Sequence, residues 1–448
     1  MQPVKPSTGT LDNSLVTKHY DRTLLAPKPF SVHDVAGTGL DMDARRIFHY
    51  ASTCLWTTFK QQVIETNEPL AAAMSRVSFA NDLTMHTFLW TAANELEMHS
   101  SHGSNRRVML QQQNLAVARI QSGLKAGDVS DELVHAIYAL VSSGTPPGIF
   151  NENEILPCRH WSPYGDFDPP LASLGWMDYM SQMIFVDRHA EAAAQLLEPR
   201  GGLYGMQVVE LAYQMQALDL LRNSKTGSKP LFNLCKSYKH ILDLQMPVYR
   251  APGAFLDWPI LPEFKDLFLD LRCYLRQVDL YMAKALPIVP VETLVAWRNI
   301  NQHRVLSLPP DQDQLFRLSV LIFSYNVTFP VPYRNLVQQW VRELVPHIHK
   351  ASESSEAVLW ATVVASVSSP DEEVLDCLID KARRVMTVLK LEHWTDVKTI
   401  MTRYLWLASA CDVGGERFWR LVCKNSKHPK VHDHSMCCMT ESLWTAFT

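Results

Sequence analysis

Apolar residues along this chain recur mostly at spacings of three and four, and alternation by two is scarce. That is the period of a helix with one buried stripe. Near the C-terminus the stripe reads Leu375, Leu378, Ile379, Ala382, Met386 and Leu389. Ser369, Pro370 and Glu372 supply an N-cap, a first-turn proline and a capping box for it. The spacing predicts helices over 370–391 and 395–409, packed on one another. The second carries Val397, Ile400, Met401, Tyr404, Leu405 and Ala408 on one face. Upstream, a helix starts at Asp43 and runs through Phe48, Leu55, Trp56 and Phe59, and Asn67-Glu68-Pro69 opens another. Further helices are predicted over 82–98, 108–124 and 131–142. Ser130 caps the last of these, with Asp131 and Glu132 complementing its dipole. The predicted fold class is all-α, a multi-helix superhelical or bundle-like assembly, with two closely packed lobes as one arrangement.

Prolines punctuate this pattern. Residues 1–40, rich in Pro, Ser, Thr and Gly, read as an irregular arm, and 41–143 as an N-terminal helical lobe. Residues 144–175 carry Pro146, Pro147, Pro157, Pro163, Pro169 and Pro170 with Trp161 and Tyr164, and read as a connection or functional loop. Residues 176–422 form a C-terminal helical lobe, and 423–448 a tail. No fixed-period repeat is visible.

At 448 residues the chain exceeds the usual ceiling for one compact core. Its 47% hydrophobic and 20% charged residues are an ordinary globular balance. The net charge is −4, and Arg45-Arg46, Arg106-Arg107 and Arg383-Arg384 are isolated pairs. Neither offers the basic face of a nucleic-acid binder. The apolar run Val358–Val367 falls short of the roughly 20 residues that span a bilayer. The N-terminus has no apolar signal-peptide core, so a soluble intracellular protein is expected. The nine cysteines are scattered and form no Cys-x-x-Cys, as reduced thiols do.

The spacings that carry known chemistry do not appear. Gly37-Thr38-Gly39 is followed by Met42 where a dinucleotide fingerprint needs glycine. No Gly-x-x-x-x-Gly-Lys-Ser/Thr, Gly-x-Ser-x-Gly or His-Glu-x-x-His occurs. Gly201-Gly202-Leu203-Tyr204-Gly205 reads as a helix-to-helix corner. His428, His432, His434, Cys437 and Cys438 are metal-ligand types without a zinc spacing, and read with Lys424, Lys427 and Lys430 as a solvated tail. No catalytic, cofactor-binding or metal residue is therefore assigned, and an enzyme is the least favoured class.

Three blocks in order then carry a resemblance. The first is His189, Ala190, Leu196, Leu197, Arg200, Gly201, Gly202 and Leu203. The second is Asp219-Leu220 followed by Lys229-Pro230-Leu231-Phe232. The third runs Leu359, Trp360, Ala361; Arg383; Leu391 and Trp394; Val397 and Lys398; Leu405 and Trp406; then Cys411, Asp412, Gly414, Gly415, Phe418 and Trp419. In order and type these resemble the fungal-specific transcription-factor domain, the regulatory region that follows a binuclear zinc cluster in many fungal regulators. Leu391 and Trp394 stand one residue closer than the family's spacing, and the six-cysteine cluster is absent, the first cysteine being Cys54. The resemblance implies a nuclear regulator of transcription, of a metabolic or secondary-metabolite pathway. It would work through protein partners, an intact zinc-cluster regulator or itself, and a small-molecule effector is a further implied partner. The chain alone is not expected to bind DNA specifically. The alternative is a helical module holding a hydrophobic small molecule, for which 12 tryptophans and 17 methionines could line a pocket.

Overall fold

Leucine, valine and alanine at three-four spacing become helices throughout the described residues. A computed structural model describes residues 40–58, 62–63, 68–99, 105–142, 166–172, 174, 183–243, 262–285, 290–331 and 333–424. The helices are α1 (Met42–Tyr50), α2 (Leu70–Ala80), α3 (Asp82–His99), α4 (Arg106–Lys125), α5 (Asp131–Ala139), α6 (Asp187–Leu197), α7 (Val209–Thr226) and α8 (Lys236–Asp243). They continue as α9 (Pro262–Met282), α10 (Val291–Leu306), α11 (Gln314–Phe323), α12 (Arg334–Lys350), α13 (Glu356–Ser368), α14 (Glu372–Val388), α15 (Trp394–Arg403) and α16 (Ala408–Lys424). The fold is all-α. Its β content among the described residues is one antiparallel pair, Gln62–Val63 with Glu68–Pro69. No described helix is long and apolar enough to cross a membrane.

A short unit ends at Arg46, where Asp41 caps α1 by accepting from the Ala44 amide at 2.8 Å. The residues from Ile47 onward cluster as a second unit. Within it, helices from both sides of the proline-rich stretch pack together: α5 lies on α6 and α7, and α2 on α7. Residues 1–39 of the arm, most of the proline-rich stretch and residues 425–448 of the tail lie outside the described residues, while 423–424 belong to α16.

Two helices are central. Every residue of α13 from Ala357 to Ser368 is buried, against α11, α12, α14, α15 and α16. Its polar residues avoid orphaned hydroxyls by bonding one turn back: Thr362 donates to Val358 O at 2.6 Å, Ser366 to Thr362 O at 2.7 Å and Ser368 to Val364 O at 2.8 Å. The other is α10, buried from Leu294 to Gln302 and enclosed by α7, α8, α9, α11 and a π turn at Ser324–Thr328.

The helix ends differ from the sequence reading in instructive ways. The N-cap of α14 is Asp371, whose carboxylate accepts from the Val374 amide, while Ser369 Oγ accepts from the Asp371 amide at 3.3 Å. A carboxylate at that position outcompetes the hydroxyl for the helix dipole. The helix stops at Val388 because Lys390 turns into the left-handed region at φ 55°. The predicted 395–409 helix is broken at Tyr404, with ψ −140°, and a new helix begins at Ala408. Tyr404 and Leu405 are still buried, but Ala408 is exposed. Both α14 and α15 lie on α13 and on α16, which give their apolar faces common partners.

Trp360 of α13 marks the centre of the C-terminal helices. It is 0% exposed, stacks on Tyr404 with centroids 5.8 Å apart, meets Phe268 edge-on at 5.6 Å, and donates Nε1–H to Leu405 O at 2.9 Å. Trp360→Ala is expected to cost about 3–5 kcal/mol in chemical denaturation. A loss below about 1 kcal/mol would contradict this packing.

Candidate functional site

The residues of the sequence resemblance fold into joints. Asp131, the first residue of α5, is buried at 4% exposure. One of its oxygens pairs with Arg200, and the other accepts from the Gln207 amide at 2.6 Å and the Val208 amide at 2.8 Å. Arg200 also donates to Val129 O at 2.6 Å. The corner behind Arg200 needs glycine: Gly201 and Gly202 have φ 85° and 68°, and a Cβ on Gly205 would sit 1.7 Å from Arg200 O. The 200–205 corner is thus a turn, as its glycines predict, with α5 and the start of α7 fixed to it by one carboxylate.

Asp219 of α7 is wholly buried. It accepts from the Phe232 amide at 3.1 Å, Asn223 Nδ2 at 2.8 Å, Arg222 at 3.3 Å and the Tyr138 hydroxyl at 3.3 Å. Burial pushes its carboxyl up, and the Phe232 amide and Arg222 oppose that. The Asp219-Leu220 and Lys229–Phe232 segments, separate in sequence, are therefore one joint.

The C-terminal motif forms another. A Cβ on Gly415 would meet Trp394 at 2.6 Å and Trp406 at 2.9 Å, and one on Gly414 would meet Asp166 O at 2.6 Å and Val367 at 2.7 Å. The two indole rings lie 6.3 Å apart over the glycine. Asp412, in the second turn of α16, accepts from Lys398 Nζ at 2.6 Å and from Trp406 Nε1 at 2.8 Å. Burial pushes the Cys411 thiol up, so it stays protonated. Trp406 is buried at 8% exposure, whereas Trp394 and Trp419 are half-buried.

The concentration of polar chemistry lies elsewhere, on α10. Arg298, Asn299, Asn301 and Gln302 are each 4% exposed or less. Asn299 donates to the Tyr238 hydroxyl at 2.8 Å. Gln302 donates to Ser224 Oγ at 3.1 Å and accepts from Ser324 Oγ at 2.7 Å; Ser324 and Thr328 hydroxyls lie 2.9 Å apart. Tyr325 donates to Ser224 O at 2.6 Å, and Asn326 reaches Ser368 of α13 at 3.1 Å. The π turn thereby faces one polar cluster on α10 and ties it to the other central helix. Such turns recur at functional sites.

Arg298 is the outlier of the cluster. It donates Nη1–H to Leu174 O at 2.6 Å and lies over the Phe329 ring at 5.6 Å. Among the described residues its Nε has no partner, and neither has either end of the Asn301 amide, one turn along the same helix. No carboxylate pairs with Arg298 among the described residues. The ionisable groups near enough to act on it are the phenols of Tyr213, Tyr238 and Tyr274. Burial pushes all three phenols up, Tyr274 to about 12, so they stay neutral.

Sequence reasoning singled out none of these four residues. The signal was present: Trp297-Arg298-Asn299-Ile300-Asn301-Gln302-His303-Arg304 has polar groups on every side of a helix and hence no amphipathic stripe. The His/Cys tail and Gly37-Thr38-Gly39 lie outside the described residues, among which no cluster of metal-ligand types occurs. Comparison of the chain with known protein families, curated proteins and solved structures finds no match.

His135 of α5 gives a pH test of the same interior. Its Nε2 lies 2.6 Å from Gln214 Oε1, its Nδ1 has no partner, and its ring meets Phe88 at 5.3 Å. Burial lowers its pKa from 6.5 to about 4, against a smaller opposing effect of Gln214. Between these values the unfolded chain binds more protons, so stability falls as pH drops through the window. His135→Gln should remove up to about 3 kcal/mol of that fall. An equally steep decline in the variant would contradict the neutral buried imidazole.

Proposed function

We propose that this chain is a transcriptional regulator of the fungal zinc-cluster kind, acting in the nucleus through a protein partner rather than by its own contact with DNA. One observation carries the reading. The residue types that the resemblance names, spread from His189 to Trp419, coincide with positions whose chemistry the fold requires: Arg200 on Asp131, glycine at 201 and 202 where φ is positive, Asp219 on the Phe232 amide, and Gly415 under Trp394 and Trp406. Three blocks that each meet a separate steric or hydrogen-bonding demand support common ancestry more strongly than any one block does.

A route through a partner follows from charge. Phosphate neutralisation by Lys and Arg supplies most of the affinity in nonspecific DNA complexes. This chain has a net charge of −4. Several of its arginines are engaged: Arg222 with Asp187 and Asp219, Arg304 with Asp270, and Arg383 with Asp380. The partner would be an intact zinc-cluster regulator or a second copy of this chain, and the regulated genes those of a metabolic or secondary-metabolite pathway.

Deleting the gene should change a coherent set of transcripts. Purified protein should show no sequence-selective shift of promoter fragments from those genes at nanomolar concentration and physiological salt. An unchanged transcript profile would sink the regulatory reading. Selective DNA binding by the chain alone would sink the partner route and leave the regulatory reading standing.

A further inference from the structure

A guanidinium 3% exposed is an unusual object when no carboxylate accompanies it among the described residues. Arginine does not shed its proton in proteins, so burial cannot be relieved by neutralisation. Buried charges are ordinarily paired. Two half-buried arginines of the body follow that rule. Arg222 has Asp187 and Asp219, and Arg304 has Asp270. Arg298 instead has one backbone carbonyl, one aromatic face and three phenols.

The geometry of what is left over is specific. Nη1 is engaged with Leu174 O, while Nε is buried and unpartnered, and no bond is made by Nη2 among the described residues. Nε and Nη2 form one of the two edges on which a guanidinium takes a carboxylate through two parallel bonds. One turn along, the Asn301 amide is buried with both its donor and its acceptor unused. The surrounding surface is aromatic: Tyr213 and Tyr238 meet edge to face at 4.8 Å, and Phe329 covers the guanidinium. A single positive charge, a free forked edge, a nearby amide and aromatic walls match one negative charge on a planar head with a small apolar body. A phosphate would bring more charge and more acceptor atoms than these donors satisfy.

We propose that Arg298 anchors a binding site for a small organic monocarboxylate, taken on its Nε–Nη2 edge with Asn301 alongside and the Tyr213, Tyr238 and Phe329 rings as walls. The site is independent of the transcriptional reading: it requires a ligand whether or not the chain acts on genes.

The test uses the purified full-length chain. Its thermal midpoint is followed at constant ionic strength with acetate, octanoate, benzoate and phenylacetate, and with benzamide and chloride as the neutral and ionic comparisons. At least one carboxylate should raise the midpoint saturably, by about 1–2 °C at ten times its dissociation constant. Benzamide and chloride should not. Arg298→Met should abolish the response. Arg298→Lys, which keeps the charge but not the fork, should weaken apparent affinity at least tenfold. No shift with any of the four carboxylates overturns the proposal, as does an equal shift in Arg298→Met. Should the methionine variant fail to fold, unchanged affinity in Arg298→Lys overturns it equally.

Discussion

Four helices and a π turn close over the 291–306 helix, so a polar group it buries either finds its bond inside the protein or stays unpaired, as Arg298 Nε and the Asn301 amide do among the described residues. That constraint organises much of the body from Ile47 onward. Asn299 holds Tyr238 of α8, Gln302 bridges Ser224 of α7 and Ser324 of the π turn, and His303 bonds Phe232 O at 2.9 Å. Arg304 reaches Asp270 of α9. An apolar helix would have allowed its neighbours to slide, because hydrophobic contact is non-directional. Directional bonds fix register, and a half-satisfied network is costly enough to disfavour alternatives. The second central helix, α13, works the opposite way. It is apolar on all sides, its few hydroxyls bond back along its own turn, and its position is set by shape.

The two centres are joined by α11 and the π turn. Asn326 bonds both Ile322 O within α11 and Ser368 at the end of α13. This is a physical connection between the Arg298 cluster and the C-terminal motif, made of packed helices and a few named bonds.

Much of the helical architecture was legible in the sequence, because a three-four stripe is a direct imprint of one-sided burial. The ends were less legible. Ser369, Pro370 and Glu372 satisfied every local rule for a cap, yet the neighbouring Asp371 holds the position. The break at Tyr404 left no glycine or proline to announce it; it arises where Trp360 stacks on Tyr404 and binds Leu405 O. Motif residues were legible as packing groups. Their partners were not, since Asp131 and Arg200 lie far apart in the chain. Least legible was the α10 interior. A helix with polar residues on all sides reads as solvated, and only the surrounding helices reveal it as buried.

The central claim is that α10 is the enclosed core of this body rather than one of its surfaces. Amide hydrogen exchange resolved by fragment measures this directly. Exchange of buried core amides requires large-scale opening, whereas exposed helices exchange through local fraying. Amides of 294–306 should be among the last to exchange, alongside those of 357–368, and those of the half-exposed α4 should exchange far earlier. Exchange of 294–306 as fast as α4 would contradict an enclosed α10.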